Sequence, residues 1–226
     1  MTTMQSTYPV RLDGAVDGHL SRWLWLVKWL LVIPHVLVLA VLWLGTVLST
    51  LAAGFAILFT GRYPRRLFEY NVGVMRWTWR VGFYASSAFA TDRYPPFSLH
   101  PDPTYPADFA VDYPEHLSRT LVLVKWWLLA LPHYVIVAVF AGGLHIGAGS
   151  GLVAILALVA VVILAVTGTY PRPLFDFLMG CERWCFRVLA YAALMRDEYP
   201  PFRLDQGGTD PGSTAVFPVP PAEASG

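Results

Sequence analysis

From Lys28 to Arg62 the chain carries no charged residue of either sign, and from Lys125 to Arg172 it again carries none. Runs of that length are read as membrane spans, because about 20 apolar residues in a helix cross the hydrocarbon layer. Composition agrees: only 14% of residues are charged, where soluble domains have roughly a quarter. Nine Trp, eleven Tyr and thirteen Phe suit rings seated at a membrane interface. A net charge of +1 argues against a bulk nucleic-acid binder, so membrane lipids are the expected partners and nucleic acid is not. The expected class is an all-α membrane protein.

The chain also repeats itself. Tyr8-Pro9 recurs as Tyr105-Pro106, an offset of 97. The same offset lays His19-Leu20-Ser21-Arg22 on His116-Leu117-Ser118-Arg119, and Lys28-Trp29 on Lys125-Trp126. Pro34-His35 meets Pro132-His133 at 98, so the second copy gains one residue in between. Thr60-Gly61-Arg62-Tyr63-Pro64 meets Thr167-Gly168-Thr169-Tyr170-Pro171 at 107. Asp92-Arg93-Tyr94-Pro95-Pro96-Phe97 meets Asp197-Glu198-Tyr199-Pro200-Pro201-Phe202 at 105. The chain is therefore read as two tandem units, 8–99 and 105–204. The tail, 205–226, is rich in Gly, Pro and Ser and is expected to be disordered.

Each unit is expected to hold two transmembrane helices and a long amphipathic third. Helix one opens with Ser21 or Ser118 as N-cap. Lys28, among Trp23, Trp25 and Trp29, is placed to snorkel to water. Pro34 and Pro132 are expected to kink this helix. Leu44-Gly45-Thr46, and the glycines from Gly142 to Gly151, are expected to turn the chain into helix two, near 46–59 and 152–167. The first of these is short for a span. Helix three follows with Pro64 or Pro171 in its first turn, and runs over 64–89 or 171–194. The Tyr-Pro segments at the unit ends are expected to pair as a small sheet outside the bilayer.

Every Lys and Arg lies before helix one, at its entry, or after helix two. The positive-inside rule then places both unit ends, and so both termini, on the cytoplasmic side of the cell (inner) membrane. An even number of crossings per unit leaves helix three in the interface. A spanning helix three would instead make the units inverted repeats. The first twenty residues contain Asp13 and Asp17 and no apolar run, so no cleaved leader is expected. Cys181 and Cys185, four apart on one helix, are expected to be small apolar side chains without a disulfide.

On helix three an acid and two arginines recur at i, i+7 and i+11: Glu69, Arg76 and Arg80, then Asp176, Arg183 and Arg187. At about 100° per residue each trio falls within roughly 40°. Two readings stand. In one, the arginine forks hold a lipid phosphate, joined by Lys28, Arg62 and Arg65 in the first copy and by Lys125 and Arg172 in the second. In the other, Glu69 pairs with Arg76 or Lys28 and lowers the cost of charge near lipid. His35 and His133 are either pathway residues that carry protons or structural groups bonded to the carbonyl that proline frees. Neither has a carboxylate or cysteine at metal-ligand spacing. No nucleophile elbow, zinc His pair, phosphate loop or dinucleotide fingerprint is present, so no catalytic residue, metal or cofactor is expected.

These motifs together (Leu-Ser-Arg, Lys-Trp, Pro-His, then Phe59-Thr60-Gly61-Arg62-Tyr63-Pro64-Arg65, Arg76-Trp77 and Asp92-Arg93-Tyr94-Pro95-Pro96-Phe97) resemble the DUF4389 family. The resemblance covers two tandem copies and leaves out only the tail. It implies a bacterial multi-pass membrane protein with no established activity. The second copy departs from the pattern, with Thr169 in place of Arg62 and Pro173 in place of Arg66. An anion site there should be the weaker one.

The leading expectation is a non-enzymatic membrane protein. It would bind anionic lipid or serve as an accessory subunit beside another membrane protein or a second copy of itself. One alternative is a small transporter or channel whose path runs between the units, lined by Lys28, His35 and the acid-arginine stripe. Another is a membrane enzyme acting on a lipid. A water-filled cavity between the units favours the transporter, and a closed apolar seam with a basic rim favours the binder.

Overall fold

The computed structural model describes residues 8–141 and 151–205. The first unit contains β1 (Val10–Gly14), α1 (Trp25–Thr60) and α2 (Arg65–Ala85). The second contains β2 (Ala107–Val111), α3 (Leu121–Val124) running on as a π-helical turn over Lys125–Leu129, α4 (Leu131–Ala141), α5 (Leu152–Thr167) and α6 (Arg172–Ala192).

The two units close on each other about a dyad. β1 and β2 pair antiparallel with Leu12 opposite Phe109, and these two are equivalent at the offset of 97. The packing is crossed. Arg183 Nε donates to the Leu12 carbonyl of β1 at 3.3 Å, and Arg80 Nε to the Ala107 carbonyl of β2 at 3.4 Å. The repeated Tyr-Pro tyrosines cross as well: Tyr63 Oη donates to the Ala193 carbonyl, and Tyr170 Oη to that of Ala88. Burial pushes the Tyr63 phenol up to about 12, which keeps it a donor. Leu12, Met75, Trp79, Phe83, Phe109, Met179 and Phe186 share one core. Each unit thus buries its apolar face against the other, as a repeat too small to bury it alone must.

The first unit has one helix where two were expected. α1 is unbroken for 36 residues, about 54 Å at 1.5 Å per residue, ample to cross a hydrocarbon layer of about 30 Å. The expected turn at Leu44-Gly45-Thr46 is absent because Gly45 serves a close approach instead. Tyr70 lies against it and donates to the Leu42 carbonyl at 2.8 Å, where any Cβ on residue 45 would collide with the tyrosine. The second unit has nine residues more between its Pro-His and Thr-Gly motifs, and there α4 and α5 pack on each other as separate helices. The glycines from 142 to 150 lie outside the described residues, as does the tail from 206. Ser21 does not cap α1, which begins four residues later.

The prolines also act differently. α1 continues through Pro34. In the second unit α3 and α4 meet at a 47° bend beside Pro132. Just before the bend, the Ala130 N–H donates to the Lys125 carbonyl, five residues back. A π turn holds one residue more than an α turn, and this is the residue that shifts the offset from 97 to 98. It lets Lys125 and His133 both keep the places that Lys28 and His35 hold.

Helix three of each unit is not a surface helix. α2 buries 14 of its 21 residues and α6 buries 12 of 21, so both lie inside the protein and neither rests on it with one free face. Of the expected sheet, only the opening segments form strands. The closing segments, 91–100 and 196–205, run over the helices as extended straps.

Deleting Trp127 from the π turn should convert it to α-helix and leave the melting temperature in detergent within a few degrees of the parent. Deleting Leu31 from the matching turn of α1 has no π turn to absorb it. It should throw His35 out of register with Lys28 and abolish cooperative melting by circular dichroism.

Candidate functional site: buried cations and an arginine loop

Lys28 is 2% exposed and fully met by acceptors. Its Nζ lies 2.9 Å from Asp92 Oδ1 and donates to the Thr91 carbonyl at 2.7 Å, 4.9 Å from the centre of the Tyr84 ring. The other Asp92 oxygen accepts the Ser21 N–H. The second unit repeats this arrangement. Lys125 meets Asp197 Oδ1 at 2.9 Å and the Arg196 carbonyl at 3.0 Å over the Tyr191 ring, and Asp197 accepts the Ser118 N–H. A buried ammonium without such partners costs several kcal/mol. The first residues of each strap therefore fasten the start of its first helix.

The arginines of helix three fasten the rest of the strap. Arg76 donates to the Leu99 carbonyl at 2.9 Å and pairs with Asp108 of β2 at 2.9 Å. Arg80, fully buried, reaches the Ser98, His100 and Ala107 carbonyls and Asp108. Arg187 likewise takes the Arg203 and Asp205 carbonyls, which are the matching strap positions. Burial lowers the Arg187 guanidinium to about 10, still charged at neutral pH. Where each strap crosses its helix, Gly73 and Gly180 make room: a Cβ at Gly73 would stand 2.7 Å from Leu99 Cβ, and one at Gly180 2.8 Å from Leu204 Cβ.

The acid-arginine stripe is therefore not one cluster. Glu69 pairs with Arg65 at 3.0 Å, both more than 60% exposed, a contact of little energy. It is not the partner of Arg76 or Lys28 that the spacing suggested. The acid that Arg76 and Arg80 meet, Asp108, comes from the other unit. Asp176 is exposed, while Arg183 is turned inward to β1.

The histidines pack against the straps. His35 Nδ1 accepts the Trp77 Nε1–H at 3.0 Å, and its ring stacks on Phe97 at 3.9 Å. The expected bond to a carbonyl freed by proline gives way to this indole bond. His133 stacks on Phe202 at 4.6 Å with Trp184 at its edge. Among the described residues no three His, Cys, Asp or Glu side chains converge as a metal would require.

Exposed arginines stand at the loops after α1 and α5. Gly61 (φ 69°) and Gly168 (φ 75°) close these helices in the left-handed conformation, each N–H bonding a helix carbonyl at 2.8 Å. Arg62, Arg65 and Arg66 are exposed in the first loop. Arg119 of the second unit lies against Gly61, the Leu117 N–H bonds the Gly61 carbonyl at 2.9 Å, and Arg65 sits over the Tyr113 ring. At the second loop Arg22 lies against Gly168 and Arg172 is exposed, with Thr169 and Pro173 in place of the other two arginines. Of the residues first singled out, the structure keeps Arg62, Arg65 and Arg172 exposed at the surface, Arg65 paired with Glu69. It builds Lys28, Arg76, Arg80, Lys125, Arg183 and Arg187 into the fold. Asp92, Asp108 and Asp197 were missed as partners. The duplication of Lys28 with Asp92 as Lys125 with Asp197 was the signal for two of them.

The model of the family described as "Domain of unknown function (DUF4389)" matches residues 22–98 and 127–203. The chain belongs to the DUF4389 family. The second match opens inside the π turn, where that DUF4389 copy carries its extra residue. No curated protein and no solved structure matches this chain.

Replacing Asp92 by Leu should leave Lys28 buried without its carboxylate and cost about 3–5 kcal/mol. Adding Lys28→Met should recover much of that loss. Thermal unfolding of the single and double variants in detergent checks both; a double variant no more stable than Asp92→Leu would contradict the pairing.

Proposed function

We propose that this DUF4389 protein is a non-enzymatic integral membrane protein that gathers anionic lipid headgroups at the loop after α1. The observation that carries the reading is the α1 surface together with its end. The helix turns Lys28, His35, Thr46 and Ser49 inward while Leu30, Leu37, Val41, Leu44 and Phe55 are each more than 60% exposed. Only 17% of its most apolar window is buried. Water does not tolerate an exposed apolar face of that extent on a monomer, and hydrocarbon selects it. Polar bonds hold α1 to α2, as expected where lipid removes the hydrophobic drive between helices: Trp43 to Thr78 at 3.0 Å, and Asn71 to Ser49, Thr50 and Tyr63. The helix ends at Arg62, Arg65, Arg66 and Arg119, beside its own negative C-terminal dipole end. Guanidinium groups at that depth suit phosphate oxygens.

The apolar core shared by the two units supports the binder over a transporter with its path between them. No catalytic constellation is drawn together at the loop. Arg22 and Arg172 form the weaker second site.

Each arginine near an anionic surface contributes about 1 kcal/mol. Arg62→Gln, Arg65→Gln and Arg66→Gln together should therefore weaken binding of phosphatidylglycerol by on the order of a hundredfold, measured by native mass spectrometry against phosphatidylcholine. Arg172→Gln should cost on the order of fivefold. Arg80→Gln should lower the melting temperature and leave lipid content as it was. Equal losses from Arg80→Gln and the triple variant, or none from either, would overturn the loop assignment.

A further inference from the structure

Two places break the twofold repeat, and the fold brings them together. Between Tyr84 and Phe89 the first unit has two residues more than the second has between Tyr191 and Leu194, so Ser86-Ser87 has no counterpart. In α6, Glu182 stands where α2 has the core residue Met75. The Ser87 hydroxyl lies beside the Glu182 carboxyl. Both line a cavity of about 430 Å³ bounded by Val36 and Trp43 of α1, Thr78 and Trp79 of α2, and Phe186.

The buried cations Lys28, Lys125, Arg76, Arg80 and Arg187 are each met by a carboxylate or by two or more carbonyls. Glu182 has the Ser87 hydroxyl beside it, and among the described residues no cationic side chain lines its cavity. The remaining polar groups are largely spent: Thr78 donates to the Val74 carbonyl and accepts from Trp43, and Trp79 Nε1 donates to the Asp13 carbonyl. Val36, 52% exposed, stands at the edge of the cavity, which therefore reaches the apolar outer surface of α1.

We propose that this cavity binds an organic monocation with an apolar body, an alkylammonium group, its nitrogen on the Glu182 carboxylate and its chain against α1 and the aromatic walls. The ligand supplies the positive charge that the lining lacks, and Trp43, Trp79 and Phe186 are ring types that favour ammonium groups. Burial pushes the free Glu182 carboxyl up. An ammonium pairs with the ionised carboxylate, so affinity rises with pH until the free carboxyl is itself ionised. The other titratable groups near Glu182 are Cys181 and Cys185 on its own helix, thiols that burial also pushes up. The lining residues of α1 and α2 include none. The site is separate from the arginine loop and stands or falls without it.

The test is calorimetry on the full chain in detergent with n-hexylammonium chloride, and n-hexanol as the neutral probe of equal length. Hexylammonium should bind saturably and more tightly as pH rises; hexanol should bind weakly at every pH. Glu182→Gln should weaken hexylammonium on the order of tenfold or more and leave hexanol unchanged, and Ser87→Ala, which keeps the carboxyl, should weaken it several-fold. If Glu182→Gln does not fold, hexylammonium should protect Glu182 of the parent protein from dicyclohexylcarbodiimide, read by peptide mass spectrometry. Equal binding of the two probes, affinity indifferent to Glu182→Gln, or no protection would overturn the site.

Discussion

A cation enclosed by protein must be surrounded by acceptors, since taking it out of water costs several kcal/mol after all relaxation. Lys28, Arg76 and Arg80, and again Lys125, Arg183 and Arg187, are each no more than 8% exposed. Their helices cannot supply the acceptors, because helical carbonyls are already bonded. The acceptors come from chain far away in sequence: Asp92, Thr91, Leu99, Ser98 and His100 from the strap, and Ala107 and Asp108 from the partner unit's strand. The straps and the crossed strands follow from this requirement. Neither unit holds the partners for all of its own charges, so neither unit stands alone.

The same demand explains why α1 carries its polar residues on the buried side. On the outer face a polar side chain would meet no protein group, and between helices it meets one. Asn71, Trp77 and Thr78 of α2 answer Ser49, His35 and Trp43 of α1 in turn. The apolar side chains are left to face outward. The polarity of this half of the molecule is thus the reverse of a water-soluble bundle, and the helix is continuous because nothing interrupts that pairing.

The duplication separates architecture from ligand chemistry. What both copies keep is fastening: Lys with Asp, His on Phe, Tyr to the opposite carbonyl, Gly beneath Leu. Part of what only one copy keeps is fastening too: Asn71 and Asp108 hold the fold where the other copy has Leu178 and Arg11. Arg62 and Arg66 have no basic counterparts, and Glu182 and Ser86-Ser87 have no counterparts of their kind.

The sequence by itself determined the two units, the limits of helix three to within a few residues (Arg65–Ala85 and Arg172–Ala192), the opening strands, and the apolar character of α1. Those features rest on local periodicity, on proline in a first turn and on glycine at a helix end, all of which act between near neighbours. Only the tertiary structure decided that Gly45 is a seat for Tyr70 and not a turn, and that the inserted residue before Pro132 is stored in a π turn. It also decided that Arg76 and Arg80 find their acid in Asp108 and not in Glu69. A helical stripe records which side chains point the same way. Which acceptor a buried guanidinium reaches depends on the segments that fold over it, and the one that brings the acid to Arg76 and Arg80 belongs to the other repeat.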